Sequence, residues 1–141
     1  MLTRRDRSII RELRSDARQR LVDISRKTGI PTSTVHERIR NLVSSGEIRL
    51  VSLPDYRALS VPLEVWFFIK VKERDAVIDK LLNHPSTNTL LKAGNGVDII
   101  AECIFKDFRQ YHDFSEELEQ MAKVVSHPVV EVMERESAII S

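Results

Sequence analysis

Residues 28–39 read TGIPTSTVHERI and contain one glycine and one proline, two positions apart. Gly29 suits the left-handed conformation that ends many helices, and Pro31 suits the start of a helix, where no backbone donor is lost. The pattern therefore predicts a tight turn between two helices. The second of these helices is predicted to run from Thr32 to Ser45 and to end at Gly46.

Two more helices are predicted before this turn. Thr3 and Asp6 have the spacing of a variant capping box, and apolar residues recur at helical spacing after them, which predicts a helix from Thr3 to Ser15. A second short helix is predicted from Leu21 to Thr28. Residues 47–53 place Ile48, Leu50 and Ser52 on one side and Arg49, Val51 and Leu53 on the other, which predicts a strand leaving the helix. Three short helices, a glycine turn and a strand follow the order of a winged helix-turn-helix.

The charge of the chain is divided unevenly between its two halves. Residues 1–62 carry 13 Lys and Arg against 7 Asp and Glu, a balance of +6. The remaining residues carry 9 against 14, a balance of −5. Such asymmetry indicates a module that binds a polyanion, and the bases are mostly arginine, whose forked guanidinium suits phosphates and guanine edges.

The predicted third helix has two faces when its residues are placed 100° apart. Val35, Ile39, Leu42 and Val43 are predicted to face the core. The opposite face offers short hydroxyls near the start of the helix and longer polar side chains further along, as reading of the major groove requires. The predicted contacts to double-stranded DNA are Arg26, Lys27, Thr32, Ser33, Thr34, His36, Glu37, Arg38, Arg40 and Asn41.

These residues carry a resemblance to a known family. Residues 2–13 (LTRRDRSIIREL), 16–18 (DAR), 28–39 and 46–48 (GEI) resemble the Lrp/AsnC family of "feast/famine" transcription regulators. The resemblance follows the whole chain in order and is most specific in its first fifty residues. It implies a DNA-binding domain, a linker strand and a βαββαβ domain that pairs subunits and, in many members, binds an amino acid between them.

The second half supports that layout through its own periodicity. The fold class is therefore predicted as α+β, a winged helix-turn-helix followed by a ferredoxin-like βαββαβ dimerisation and effector domain. The predicted domains are residues 1–50 for DNA binding, 51–62 as linker strand and loop, and 63–141 for ligand binding and oligomerisation. Four strands are predicted, at residues 63–71, 87–93, 97–105 and 129–137. Two helices are predicted from their apolar stripes, one formed by Val77, Ile78, Leu81 and Leu82 and the other by Phe108, Tyr111, Leu118 and Met121.

Two helices can cover only one face of the predicted sheet. Trp66, Phe68, Ile100 and Ile104 fall on the other face, and an apolar sheet face without cover favours association. The sequence therefore predicts a homodimer with these residues in its interface. Further assembly of dimers into a higher oligomer stays open.

An effector site is implied by the resemblance at the hairpin of residues 94–98. Family members carry a Gly-x-x-Asp loop there, whereas this chain reads GNGVD, with Asp98 matching and the glycines one position off on either side. The candidate effector residues are Gly94, Asn95, Gly96, Asp98 and Arg135. Asp98 would accept from the ammonium group of an amino acid. Alternatively, Asp98 belongs to a tight hairpin, or Arg135 holds an acidic ligand, since Met133 and Arg135 stand where family members carry ligand-binding threonines.

Other classes of protein are disfavoured by composition. The single cysteine, Cys103, excludes an internal disulfide, and the four scattered histidines lack metal-ligand spacing, so no metal or other cofactor is expected. No apolar run approaches the ~20 residues that span a bilayer, and the N-terminus lacks a secretory pattern. We therefore expect a cytoplasmic protein without membrane contact.

Two rival functions share the same layout. Siroheme decarboxylases resemble it, but the second half lacks a cluster of histidines and aromatic residues for a haem-like substrate, and no catalytic triad or phosphate loop is visible. We therefore expect no enzymatic activity. An architectural, nucleoid-type protein with weak sequence preference would use the same fold and arginines, and this alternative stays open.

Overall fold

The computed structural model describes residues 2–133, which form five helices and four strands. They divide into two compact units, residues 2–53 and Pro54–Val132. The first unit contains α1 (Arg4–Ser15), α2 (Leu21–Thr28) and α3 (Thr32–Ser44). The second contains β1 (Leu63–Lys70), α4 (Arg74–Asn83), β2 (Thr87–Lys92), β3 (Ile99–Phe105), α5 (Phe108–Glu119) and β4 (Lys123–Pro128).

The capping box predicted at the start of the chain is present. The Thr3 hydroxyl accepts from the Asp6 backbone N–H at 3.2 Å, and the Asp6 carboxylate accepts from the Thr3 backbone N–H at 2.8 Å. These two bonds satisfy donors that the first turn of a helix leaves free. Thr3 is therefore the cap, and α1 begins one residue later than predicted.

The turn that links α2 to α3 has the geometry predicted from its glycine and proline. Gly29 ends α2 with a φ of 71°, in the left-handed region, and Pro31 precedes the first residue of α3. The apolar sides of the three helices then meet in one core. Its buried members are Ile9, Leu13, Ile24, Ile30 and Val35.

Two expectations for the first unit are wrong. Residues 47–53 form no strand, and Leu50, Val51 and Leu53 are exposed. A strand needs a neighbouring strand, and no strand in the described part of the chain pairs with this segment. The Ile48 N–H donates instead to the Leu42 carbonyl of α3. Val43 is also 43% exposed rather than part of the core, so the buried stripe of α3 is narrower than predicted.

The sheet of the second unit has the strand order β2-β3-β1-β4, and every neighbouring pair is antiparallel. This is the ferredoxin-like βαββαβ arrangement that the sequence predicts. Residues from α4 and α5 share one core with the sheet, and its buried members are Leu63, Val65, Phe67, Ile69, Val77, Leu81, Ile99, Ala101, Cys103, Phe105, Phe114 and Leu118.

The hairpin between β2 and β3 turns at the predicted dipeptide. Asn95 and Gly96 have φ values of 56° and 91°, and the Val97 N–H donates to the Gly94 carbonyl. Positive φ at both central positions is the requirement that Asn-Gly meets in two-residue hairpin turns. The local sequence therefore determines this turn.

The last strand lies earlier than predicted. Residues 123–128 pair with β1, whereas residues 129–133 belong to no strand; residues 134–137 of the predicted strand lie outside the described residues. The sequence of this strand does not alternate clearly between apolar and polar residues, because Ser126 is polar although its side chain faces the helices. Its hydroxyl lies 2.8 Å from the Tyr111 hydroxyl, so a hydrogen bond compensates for its partial burial.

The apolar stripes of α4 and α5 also differ from expectation. Leu82, Phe108 and Met121 are exposed, although the sequence predicts that they are buried. Phe114, which the predicted stripe omitted, is buried and packs against Phe67 with ring centroids 5.3 Å apart. The face of α5 that meets the sheet is therefore rotated from the predicted one.

We predict that Phe67→Ala lowers the free energy of unfolding of the second unit by ~3–5 kcal/mol, because it leaves a cavity beneath three aromatic rings. Phe108→Ala is the matched control, since Phe108 is 70% exposed. Its cost should stay within ~0.5 kcal/mol. Urea denaturation followed by the fluorescence of the only tryptophan, Trp66, reports on this unit. Equal losses in both variants would contradict this assignment of the core.

Candidate DNA interface and effector hairpin

Helix α3 presents a polar face to solvent. Thr34 is half-buried on this helix, and the remaining residues of the face are exposed: Thr32, Ser33, His36, Glu37, Arg40 and Asn41. Pro31, the N-cap residue, makes no side-chain hydrogen bond to the first turn. The N–H groups of that turn therefore stay available to solvent or to a phosphate.

Glu37 and Arg40 lie one helical turn apart on this face. Neither side chain has a hydrogen-bond or ion-pair partner among residues 2–133. Glu37 is an acceptor and Arg40 a donor, so together they can contact both kinds of group at a base edge. No contact within the first unit has to break before they do so.

The bases predicted at the end of α2 are already engaged. Arg26 forms an ion pair with Asp23 at 3.3 Å. The Lys27 ammonium lies 3.0 Å from Glu12 and 2.7 Å from the Gln19 side-chain oxygen, so it joins α2 to α1. Both side chains remain largely exposed, which leaves donors free for a phosphate.

Arg38 stands apart from the other predicted contacts on α3. Its side chain is 39% exposed and its guanidinium lies 3.6 Å from the carboxylate of Asp6, at the start of α1. Sequence reasoning assigned Asp6 only to the helix cap. The link across 32 positions (38 minus 6) carries no local sequence signal.

The effector hairpin holds Asp98 in a network of its own. The Asp98 carboxylate accepts from the Val71 backbone N–H at 3.0 Å and lies 2.5 Å from the Arg74 guanidinium. The Val71 hydrogen bond, followed by the Arg74 bond and charge, lowers the pKa of Asp98 below its ordinary value. Asp98 therefore ties the hairpin to the segment between β1 and α4.

The remaining effector candidates offer backbone rather than side-chain chemistry. Gly94, Asn95 and Gly96 are exposed at the tip of the hairpin, and a Cβ at either glycine would meet open space. Arg135 lies outside the described residues. Arg74, which the sequence did not single out, is half-exposed beside Asp98 and presents the complementary charge.

The predicted interface residues share the sheet face away from α4 and α5. Trp66, Phe68 and Ile100 are half-buried there, and Ile104 is 9% exposed. Sequence reasoning missed Glu102, which is buried on the same face and accepts from Asn88 and Thr89 at 2.7 and 2.5 Å. The sequence signal for Glu102 is that it is a carboxylate within a strand whose other residues are apolar.

The described residues offer neither a group of metal ligands nor an exposed cysteine thiol. No group of three or more His, Cys, Asp or Glu between residues 2 and 133 could hold a metal ion. Cys103 is buried, and desolvation raises the pKa of its thiol to about 11, so the reactive thiolate is scarce at neutral pH. In the same range, no helix has the length and apolarity to cross a membrane.

Known proteins resemble this chain over most of its length. Residues 2–49 match the family model described as winged helix-turn-helix DNA-binding. The HTH-type transcriptional regulator PH0140 of Pyrococcus horikoshii is 33% identical over 127 residues, which cover 84% of this chain and 76% of the relative. The HTH-type transcriptional regulator FL11 of the same organism is 30% identical over 112 residues, covering 77% and 74%.

Solved structures share the fold of the whole chain. LrpC of B. subtilis superposes with a TM-score of 0.83 at 23% identity, covering 95% of this chain and 98% of LrpC. A feast or famine regulatory protein of M. tuberculosis, complexed with L-methionine, superposes with a TM-score of 0.88 at 17% identity, covering 98% of both chains.

The winged helix-turn-helix and the exposed polar face of α3 define a DNA-binding transcription regulator. The ferredoxin-like sheet of the second unit narrows that class. The chain belongs to the Lrp/AsnC family of transcriptional regulators.

Proposed function

We propose that this regulator reads a specific DNA sequence with the exposed face of α3. The observation that carries the proposal is the pair of unpartnered side chains, Glu37 and Arg40, one helical turn apart on that face. In this division of labour, residues 1–50 bind DNA, residues 51–62 connect, and residues 63–141 pair the subunits and take an effector. The target is DNA rather than a chemical substrate, and the protein acts in the cytoplasm.

Glu37 favours sequence reading over architectural packing of DNA. A carboxylate repels phosphates, so a protein that only coats the backbone gains nothing from it on its DNA-facing surface. At a base edge, however, a carboxylate accepts from the amino group of cytosine. An architectural role would instead give equal, salt-dependent affinity for random and selected DNA.

Selection of bound sites from random DNA tests the proposal. We predict that Arg40→Ala and Thr34→Ala change which sequences are selected, each costing ~1–3 kcal/mol at one base position. Arg26→Ala and Lys27→Ala are the matched controls, because their bases lie on α2. They should weaken binding to all DNA and reduce the salt slope by about one. If both classes weaken every sequence alike, direct reading by α3 is wrong.

We also propose that two copies pair through the uncovered sheet face. Trp66, Phe68, Ile100 and Ile104 give that face an apolar centre, and the related Lrp-type folds have the same sheet. A dimer places two α3 helices about one duplex turn apart, or a multiple of it, so the bound site is a near-palindrome. Assembly of dimers into larger oligomers remains compatible with this arrangement.

Trp66→Glu and Ile100→Glu are predicted to disrupt the dimer, because each would bury an unpaired charge against the partner sheet. Leu82→Glu is the control, since Leu82 is 67% exposed on α4. Sedimentation velocity at matched concentrations measures the outcome. Unchanged oligomers in both interface variants would place the interface elsewhere.

An amino acid is the effector class we propose for the hairpin. Asp98 and Arg74 form an ion pair that a free amino acid would exchange for two, its ammonium group with Asp98 and its carboxylate with Arg74. The N–H groups exposed at Gly94 and Gly96 offer further donors for the carboxylate. The M. tuberculosis relative complexed with L-methionine supports this class of ligand.

Calorimetry across the twenty amino acids tests the effector. We predict heat of binding from at least one amino acid, and loss of that heat in Asp98→Ala because the ammonium group loses its acceptor. Asp113→Ala, an exposed carboxylate on α5, is the control and should bind like the parent. The proposal would be contradicted if none of the twenty amino acids gave heat of binding while the dimer was intact. Equal heat in parent and Asp98→Ala would place the site away from this hairpin.

A further inference from the structure

Asp6 has more contacts than a helix cap requires. Its side chain is only 4% exposed, and one carboxylate oxygen accepts from both the backbone N–H and the hydroxyl of Thr3, at 2.8 and 2.6 Å. The other oxygen is fully buried and has no hydrogen-bond partner in the described part of the chain. A buried carboxylate oxygen in that state is costly unless a positive charge lies near it.

Arg38 supplies that charge from the recognition helix. Its guanidinium lies 3.6 Å from the buried oxygen, which is within ion-pair distance although too long for a hydrogen bond. Burial alone would raise the pKa of the Asp6 carboxyl. The Thr3 hydrogen bonds and the Arg38 charge outweigh burial and hold the pKa below its ordinary value, so Asp6 is ionised at neutral pH.

The Asp6–Arg38 pair lies where it can restrict rotation of α3 about its axis. Arg38 lies on the flank of α3, between the buried stripe of Val35 and Leu42 and the exposed face that carries Glu37. The packing of Val35 and Leu42 in the core restricts rotation of α3 about its axis from the buried side of the helix. An ion pair on the flank, anchored in the capped end of α1, opposes such rotation.

A small rotation would matter for base reading. Side-chain tips lie roughly 5–6 Å from the helix axis, so a turn of about 20° displaces them by about 2 Å. Hydrogen bonds to base edges tolerate only about half an ångström of variation in length. Attraction to phosphates depends much less on orientation, because it is carried by charge.

We propose that the Asp6–Arg38 ion pair positions the recognition helix α3 and thereby sets sequence discrimination. Asp6 and Arg38 are positioning residues in this scheme, and Asp6 acts through Arg38 and the backbone of α3 rather than by contact with DNA. The inference rests on the proposed reading of DNA by α3. It assigns to a buried acid, remote from the reading face, a role in choosing the bound sequence.

A double-mutant cycle tests the pair. The variants are Asp6→Asn, which retains an oxygen to accept from Thr3 but removes the charge, Arg38→Met, which retains the aliphatic stem, and the double variant. The readout is the ratio of affinities for the selected site and for random DNA. This ratio is measured under conditions in which circular dichroism shows that every variant is folded. We expect the ratio to fall about tenfold in each single variant and no further in the double variant, since both remove one interaction.

Three control variants separate positioning from other effects. Thr3→Ala removes the cap and keeps the ion pair, and Arg20→Met removes an equal charge from an exposed pair with Asp23. Both should keep the parent ratio. Arg38→Lys should keep most of it, because a charge about 3.6 Å away does not need a forked donor. This variant also keeps the test decisive if Asp6→Asn fails to fold.

The proposal is overturned if Asp6→Asn leaves the ratio within twofold of the parent while Arg38→Met lowers it, since Arg38 would then act by touching DNA. Losses that multiply in the double variant, or an Arg38→Lys variant as poor as Arg38→Met, also overturn it. The proposal is also overturned if the variants melt at a lower temperature but keep the parent's affinity ratio, because the ion pair would then serve stability alone. If Arg40→Ala also leaves the selected sequence unchanged, reading of DNA by α3 fails as well.

Discussion

Strand β1 runs through the middle of the second unit, and the alternation of its side chains decides what each face of the sheet does. Val65, Phe67 and Ile69 are fully buried in the core shared with α4 and α5. Trp66 and Phe68 point to the opposite face because successive side chains of a strand alternate. Two helices cannot cover both faces of a four-stranded sheet. One strand therefore provides the core of a protomer and the surface through which, in our proposal, protomers pair.

In our proposal, pairing of two copies and reading of DNA by α3 depend on each other in energetic terms. A single α3 offers few base contacts, and each good bidentate contact discriminates by only ~1–3 kcal/mol. Two copies held at a fixed spacing double the number of contacts within one binding event. The geometry of the dimer then matters as much as the chemistry of the helix, because both helices must reach their half-sites together. Any device that fixes the angle of α3 or the distance between copies acts on the same quantity, the ratio of specific to non-specific affinity.

Three features of the fold that the sequence predicts correctly depend on local backbone chemistry. The Thr3 and Asp6 cap, the Gly29 turn and the Asn95-Gly96 hairpin each involve residues at most three positions apart. The errors arise where partners are distant. Strand β4 is recognisable only once Ser126 is known to meet Tyr111, fifteen residues earlier. The predicted strand at residues 47–53 has the right alternation but no partner among the described residues. The link between Asp98 and Arg74 likewise spans 24 positions and leaves no periodic trace.

The acidic residues of the first unit pair with several of the bases around them. Asp6 pairs with Arg38 of α3 and Glu12 pairs with Lys27 of α2, so these two ion pairs join α1 to the other helices. Asp23 pairs with bases three positions away on either side of it, within or next to α2. Arg40 has no such partner among residues 2–133, and its guanidinium remains available on the reading face. Arg26 and Lys27 combine both properties, since each pairs with a carboxylate and stays largely exposed. Glu37, on the reading face, is also unpaired among the described residues, and in the proposed reading of DNA its repulsion of phosphate favours a particular base edge over general attraction.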